Sequence, residues 1–150
     1  SKGIEKFGQI DVVINNAGYN LLGNIEELSD TEFRKTMSVN VFAMASIIRK
    51  VLPHLRRQKS GHIINTSSMM GYMGYAGNGS YNASKFAVIG LSEALAQEVA
   101  PFGIKVTILA PGTFRTNFMS EDTLNVAKNK IDAYNLDKQV ELFTGFDGNN

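Results

Sequence analysis

Apolar residues along the chain form short continuous runs that alternate with longer stretches of helical spacing. The runs are rich in β-branched residues and lack the polar alternation of a half-exposed strand, which is typical of strands buried in a parallel sheet. The strands are predicted at 10–15, 62–67 and 104–110, and the helices at 29–57 and 80–99. The first helix opens on a capping-box sequence, Ser29 to Glu32. This order of elements predicts an α/β fold in which helices cover both faces of a parallel sheet.

Composition and charge narrow the class of protein. The 150 residues are predicted to form one partial domain, 1–150, with a substrate-loop helix and polar tail at 119–150. Fifteen basic and fourteen acidic residues leave no basic surface for nucleic acid, and no apolar run is long enough to span a membrane. The chain has no cysteine and no signal-peptide pattern, so we predict no metal site and a cytoplasmic location.

Polar residues cluster where the predicted strands end. These clusters are 15–18 (NNAG), 66–68 (TSS) and 111–116 (PGTFRT), and ligands of parallel sheets bind at such ends. The helix after the second strand opens with Tyr81 and Lys85, which share a helical face because they are four residues apart. The intervening loop, GYMGYAGNG, lacks the Gly-x-Gly-x-x-Gly spacing of a dinucleotide site, so it is interpreted as the rim of a substrate pocket.

A tyrosine beside a lysine has two interpretations. On a solvated helix face, Tyr81 and Lys85 are an ordinary amphipathic pair. In a closed cleft, an ammonium about 4 Å from the phenol supplies about 4 kcal/mol at an effective dielectric near 20, which lowers the tyrosine pKa by about 3 units. The phenol then becomes a usable general acid or base near neutral pH.

The motifs taken together resemble the short-chain dehydrogenase/reductase family. The resemblance extends from Ile10 to about Phe118 and rests on NNAG at 15–18, Asn40 in SVNVF, Ser68 after INTS, Tyr81-x-x-x-Lys85 and Pro111-Gly-x-x-x-Thr116. The stretch from Leu91 to Phe118 is most similar to the hydroxysteroid- and retinol-dehydrogenase-like branch. The resemblance implies a partial Rossmann-type, doubly wound parallel sheet corresponding to the central and C-terminal half of the family fold.

The resemblance also implies an activity and a set of site residues. The activity is hydride transfer between NAD or NADP and a carbonyl or secondary alcohol. The implied catalytic residues are Asn40, Ser68, Tyr81 and Lys85. The implied cofactor-binding residues are Asn15, Ala17, Gly18, Tyr81, Lys85, Pro111, Gly112, Phe114 and Thr116.

Within that set, Tyr81 is the implied general acid or base, and Ser68 the implied donor to the substrate oxygen. Asn40 is implied to hold a water that links Lys85 to solvent.

Several alternatives to these roles stay open. Ser67 competes with Ser68, and Asn40 can instead mark a local helix kink. Residues 15–18 can brace the sheet rather than approach a ribose, and bracing is favoured for Asn16.

One part of the family pattern does not occur in the chain. The glycine-rich loop Thr-Gly-x-x-x-Gly-x-Gly is absent, which implies an internal fragment of a longer protein that is inactive when isolated. The longer protein is expected to form a homodimer or homotetramer and to use a small, apolar carbonyl or alcohol substrate. The alternative is a non-catalytic or truncated fragment that binds nucleotide weakly or pairs with a partner chain.

Overall fold

The computed structural model describes residues 2–112, 118 and 124–145. It confirms the three predicted strands and their parallel arrangement. They are β1 (Val12–Asn15), β3 (Gly61–Thr66) and β4 (Ile104–Leu109), and they lie in the order β1–β3–β4. In the register, Asn15 pairs with Asn65, and Thr66 pairs with Leu109. The carboxyl ends of the strands therefore meet at one edge, as the polar clusters predict.

Five α-helices occur within the described residues: α1 (Lys2–Phe7), α2 (Asp30–Met37), α3 (Ala43–Gln58), α4 (Gly79–Val99) and α5 (Leu136–Gly145). The predicted capping box is present, because the Ser29 hydroxyl accepts a hydrogen bond from the Glu32 N–H and the Glu32 carboxylate accepts one from the Ser29 N–H. None of the described helices has the length and apolar character that crossing a membrane requires.

The prediction of one uninterrupted helix at 29–57 is wrong in one respect. A π-helical turn, Ser38–Phe42, separates α2 from α3. Such a turn adds one residue to the helical repeat and is common at functional sites. Asn40 is buried at its centre, so the helix departs from regular α-helical geometry at the residue for which the sequence left a local kink open.

Among the described residues, α3 and α4 cover one face of the sheet. Side chains of α3 and α4 pack on that face, and the core consists of Val41, Met44, Ile48, Leu55, Ile63, Val88, Leu95, Val99 and Ile104. On the opposite face, Val12 of β1 and Leu109 of β4 are about half exposed. The parallel sheet with flanking helices confirms the predicted α/β fold class, a partial Rossmann-type sheet.

A second, two-stranded parallel sheet was not predicted. β2 (Leu21–Leu22) pairs with β5 (Asn125–Val126), and the Ala127 N–H donates to the Leu22 carbonyl at 2.7 Å. The buried carboxylate of Glu27 fixes the same contact, since it accepts hydrogen bonds from the Asn24 N–H, the Asn24 amide and the Ile131 N–H. The residues before α5 are therefore attached to the loop between β2 and α2.

Candidate active site

The predicted catalytic residues lie together at the carboxyl edge of the sheet. Tyr81 and Lys85 occupy the first two turns of α4, and both are buried. The Lys85 ammonium nitrogen lies 5.4 Å from the centre of the Tyr81 ring. A Cβ atom built on Gly18 would lie 3.6 Å from that nitrogen and 3.2 Å from Oδ1 of Asn40. Gly18, Asn40 and Lys85 therefore border one small space.

Lys85 is a buried cation, and its ammonium contacts a backbone carbonyl. Its ammonium donates a hydrogen bond to the Thr66 carbonyl oxygen at 2.9 Å, at the end of β3. Burial lowers the pKa of Lys85 to about 8. No acidic side chain among the described residues forms an ion pair with it. At neutral pH the side chain is still mostly charged, so the protein holds a positive charge at the site.

The surroundings of the Tyr81 phenol act on its pKa in two opposite ways. Burial raises the pKa of Tyr81, and a hydrogen bond with the Ser68 side chain opposes the rise only in part. The lowering by the Lys85 ammonium was expected for a closed cleft, and it stays a prediction. The Phe118 ring lies beside the phenol, with 6.0 Å between the ring centres, and contributes to the apolar surroundings.

The structure separates the two candidate serines. The Ser67 hydroxyl donates to the Lys85 carbonyl at 3.0 Å, so it is occupied in joining β3 to α4. The Ser68 hydroxyl accepts from the Met70 N–H at 3.1 Å and also hydrogen-bonds Tyr81. Ser68 is therefore the hydroxyl that accompanies the phenol, as the motif spacing implied.

The Asn40 side chain is anchored on three sides. Its Oδ1 accepts from the Tyr19 N–H at 3.1 Å, and its Nδ2 donates to the Tyr19 carbonyl and to the Ser84 hydroxyl, each at 3.0 Å. Both amide hydrogens are thus occupied. A water linking Asn40 to Lys85 has only the second lone pair of Oδ1 or a backbone atom to bind, so the water-holding role stays a prediction.

The residues of the 15–18 cluster (NNAG) differ in burial and in their contacts. Asn15, not Asn16, braces the sheet, because its Nδ2 donates to Oδ1 of Asn65 at 2.8 Å. Asn16 and Ala17 are exposed, so the bracing role favoured for Asn16 is wrong. Asn15 Oδ1 and Thr66 Oγ1 are buried at the strand ends and have no hydrogen-bond partner within the part of the chain that the structure describes. Such oxygens suit a ligand that carries hydroxyl or amide donors.

The remaining cofactor-binding candidates are only partly described. The Pro111 carbonyl accepts a hydrogen bond from the Met69 N–H at 3.0 Å, which fixes the residues after β4 next to Ser68. A Cβ atom on Gly112 would lie 4.0 Å from the Met69 sulfur. Phe114 and Thr116 lie outside the described residues.

Two polar residues of α4 were missed by the sequence argument. The Ser84 hydroxyl donates to the Tyr81 carbonyl at 2.7 Å and accepts from Asn40, so it connects α4 to the π-helical turn. Asn82 is buried and binds three backbone groups of the loop before α4. Their one sequence signal is a run of small polar residues at the start of an otherwise apolar helix.

Known proteins with similar sequences are oxidoreductases by name. The chain is 48% identical over 116 residues to Oxidoreductase BOA17 of Botryotinia fuckeliana, covering 77% of this chain and 42% of that protein. It is 45% identical over 125 residues to a 3-ketodihydrosphingosine reductase of Bacteroides thetaiotaomicron, covering 83% and 46%. It is 39% identical over 111 residues to human retinol dehydrogenase 8, covering 74% and 36%. The chain spans less than half the length of these relatives.

Solved structures have the same fold. A short-chain dehydrogenase from Streptomyces avermitilis superposes with a TM-score of 0.85 at 38% identity, over 94% of this chain and 53% of that one. An NAD+-bound xylitol dehydrogenase superposes with a TM-score of 0.72 at 32% identity, over 74% and 43%. The family model described as short chain dehydrogenase matches residues 1–127. The chain therefore belongs to the short-chain dehydrogenase family.

Proposed function

We propose that this chain carries the catalytic residues of an NAD- or NADP-dependent oxidoreductase that interconverts a carbonyl compound and a secondary alcohol. The proposal rests on the buried ammonium of Lys85, which forms no ion pair with any acidic side chain among the described residues. Burial lowers the pKa of Lys85 from 10.5 to about 8, which corresponds to a cost of about 3 kcal/mol in folding free energy for keeping the charged form inside the protein. A lysine with a purely structural role has no reason to remain buried without a carboxylate, whereas a perturbed cation beside a phenol is typical of an active site.

The residues divide the proton chemistry among themselves. In the reducing direction, the Ser68 hydroxyl donates a hydrogen bond to the carbonyl oxygen of the substrate, and Tyr81 transfers its proton to the same oxygen. The nearby Lys85 ammonium stabilises the tyrosinate that remains. Oxidation of the alcohol is the reverse: the tyrosinate removes the hydroxyl proton.

A nicotinamide cofactor, when bound, donates or accepts the hydride at the substrate carbon. The residues at the carboxyl edge fit such a group, because the unpartnered oxygens of Asn15 and Thr66 and the exposed backbone around Ala17 suit its hydroxyl and amide donors. We assign cofactor binding to Asn15, Ala17, Gly18, Tyr81, Lys85, Pro111 and Gly112, and on the family pattern to Phe114 and Thr116. The NAD+-bound xylitol dehydrogenase supports a nicotinamide cofactor, without distinguishing NAD from NADP.

The substrate and the assembly belong to the same proposal. Phe118 beside Tyr81 and the exposed methionines and tyrosines of the preceding loop support an apolar substrate, and two relatives are named for sphingoid-base and retinol substrates. Phe42, Ile47 and Phe86 are exposed on the helical side of the molecule, which supports the expected homodimer or homotetramer. We further propose that the complete protein functions in the cytoplasm.

The substitution Tyr81→Phe in the complete protein tests the proposed function. It removes the transferable proton while retaining the ring, so we expect kcat to fall by about 10²–10⁴-fold and the cofactor Kd to change only a few-fold. Steady-state absorbance assays and cofactor titration measure the two quantities. A variant that keeps more than about a tenth of the wild-type kcat would contradict the assignment of Tyr81 as the general acid or base. The absence of nicotinamide turnover by the wild-type complete protein would instead favour the alternative of a nucleotide-binding or partner-binding module without catalysis.

A further inference from the structure

The backbone of the loop between Ser68 and Tyr81 is hydrogen-bonded by a single side chain of α4. Met69–Gly71 form a 3₁₀ turn, and the rest of the loop to Tyr75 is irregular. Met69, Tyr72, Met73 and Tyr75 are all exposed, and the segment 69–75 has no charged side chain. An irregular loop with exposed apolar side chains needs anchors if it is to keep one shape.

The anchor is the side chain of Asn82, one residue after Tyr81. Its Nδ2 donates to the carbonyl oxygens of Met70 and Met73, both at 2.9 Å. Its Oδ1 accepts from the Tyr75 N–H at 3.0 Å. A carboxamide offers two hydrogens and a carbonyl oxygen, so these three backbone groups match it completely. An aspartate of the same shape would instead direct an oxygen at two carbonyl oxygens.

Asn82 connects the loop to the reacting groups. The Met70 N–H is held by the Ser68 hydroxyl, while the Met70 carbonyl is held by Asn82. Behind the loop, a Cβ atom on Gly71 would lie 2.6 Å from the Ser67 hydroxyl and 2.9 Å from the Lys85 carbonyl. The turn therefore rests directly on α4, and a shift of the loop would alter the space beside Ser68 and Tyr81.

We propose that Asn82 is a positioning residue that holds the Met69–Tyr75 loop in one conformation, and that the loop so held selects substrates with a bulky apolar substituent next to the carbonyl. The selection rests on the proposed oxidoreductase function; the positioning of the loop does not. The chemistry that favours an apolar substituent is on the loop itself, since its exposed groups are thioethers and phenol rings.

Substrate discrimination in the complete enzyme tests the selection. Benzylacetone serves as the bulky probe and acetone as the small one. In Asn82→Ala, which removes all three hydrogen bonds, we expect kcat/KM for benzylacetone to fall about tenfold or more relative to that for acetone. The cofactor Kd and the pH–rate profile should stay in place, because the Tyr81–Lys85 pair is retained. An equal loss with both probes, a displaced profile or an unchanged ratio would overturn the selection.

Hydrogen exchange tests the positioning separately, without turnover. Amides of residues 70–75 should exchange at least about tenfold faster in Asn82→Ala and in the isosteric Asn82→Asp, while those of β3 keep wild-type rates. The control is Gln97→Glu, the same amide-to-acid change at an exposed position of α4. Unchanged exchange in both Asn82 variants would overturn the anchor. If the wild-type enzyme reduces neither probe, the proposed function and the selection fail, and faster exchange still supports the anchor.

Discussion

The ammonium of Lys85 lies in the interior with the Thr66 carbonyl oxygen as its hydrogen-bond partner. Because burial lowers its pKa to about 8, the folded protein binds this proton less tightly than the unfolded chain does. The penalty is therefore complete below pH 8. It is relieved as the pH rises from about 8 towards 10.5, where the unfolded chain loses its proton as well.

Lys85→Met in the complete protein should consequently be more stable than the wild type at pH 7. Removing the buried charge raises the free energy of unfolding by about 3 kcal/mol, and leaving the Thr66 carbonyl without its donor lowers it by about 1–2 kcal/mol. The net stabilisation is about 1–2 kcal/mol. Urea unfolding should show the gain shrinking between pH 8 and 10.5, while dehydrogenase activity is lost. Lys105→Met, at an exposed position of β4, is the control and should change stability little. Equal stability of Lys85→Met and wild type at every pH would contradict the assignment of a buried charge.

Among the elements, the contact between β5 and the loop before α2 depends on one acid. Burial acts to raise the pKa of Glu27, but hydrogen bonds from the Ile131 and Asn24 N–H groups and from the Asn24 amide outweigh it, so the pKa is lowered. All three groups are donors, and only an ionised carboxylate accepts from all of them. The contact should be fully formed above the ordinary glutamate pKa near 4.5 and be lost as the pH falls below it.

Glu27→Gln tests this contact in the complete protein. The new amide directs its own hydrogens at N–H donors, so we expect amides of residues 125–131 to exchange about tenfold faster at pH 7, with β3 unaffected. Glu26→Gln is the matched control. Glu26 is exposed and accepts from the Tyr134 hydroxyl, which can donate equally well to an amide oxygen. Similar exchange rates in the two variants would show that Glu27 is not the anchor.

The elements that were predictable from the sequence are those with a repeated pattern. β3 was predictable because it lies in a short continuous apolar run, α4 because it is a long apolar stretch of helical spacing, and α2 because Ser29 and Glu32 are close in the chain. β2 and β5 have two residues each, too few for a pattern. Glu27 is not distinguishable from Glu26, because its burial depends on residues a hundred positions away. The same reason hid Asn82, whose partners lie in an irregular loop.

At the scale of the whole molecule, the described sheet has three strands and the chain carries no glycine-rich pyrophosphate loop. Most cofactor contacts in folds of this class are made by backbone N–H groups at such a loop and at the helix N-terminus that follows it. We expect the chain to contribute only the ribose and nicotinamide side of the cofactor site, around Tyr81 and Lys85. We therefore expect catalytic residues and cofactor affinity to be separable in this protein.

Residues 1–150 expressed alone should accordingly bind NAD and NADP no better than about millimolar and should show no dehydrogenase activity, even with Tyr81 and Lys85 intact. Isothermal titration and an absorbance assay measure the two quantities, with the complete protein as the positive control. Micromolar binding by the isolated chain would mean that a phosphate site exists within it, and the GYMGYAGNG loop would be the first place to look.

The unpaired edges of the described sheet also affect the tendency of the chain to aggregate. Among the described residues, β1 pairs only with β3 and β4 only with β3, so each outer strand presents a row of backbone groups that no neighbour occupies. Val12 and Ile14 are exposed along the first of these edges and carry no charge that would repel another strand. Such an edge is a template for cross-β aggregation, since an identical strand from a second molecule satisfies the same groups. Covering β1 therefore protects solubility as well as the architecture of the site.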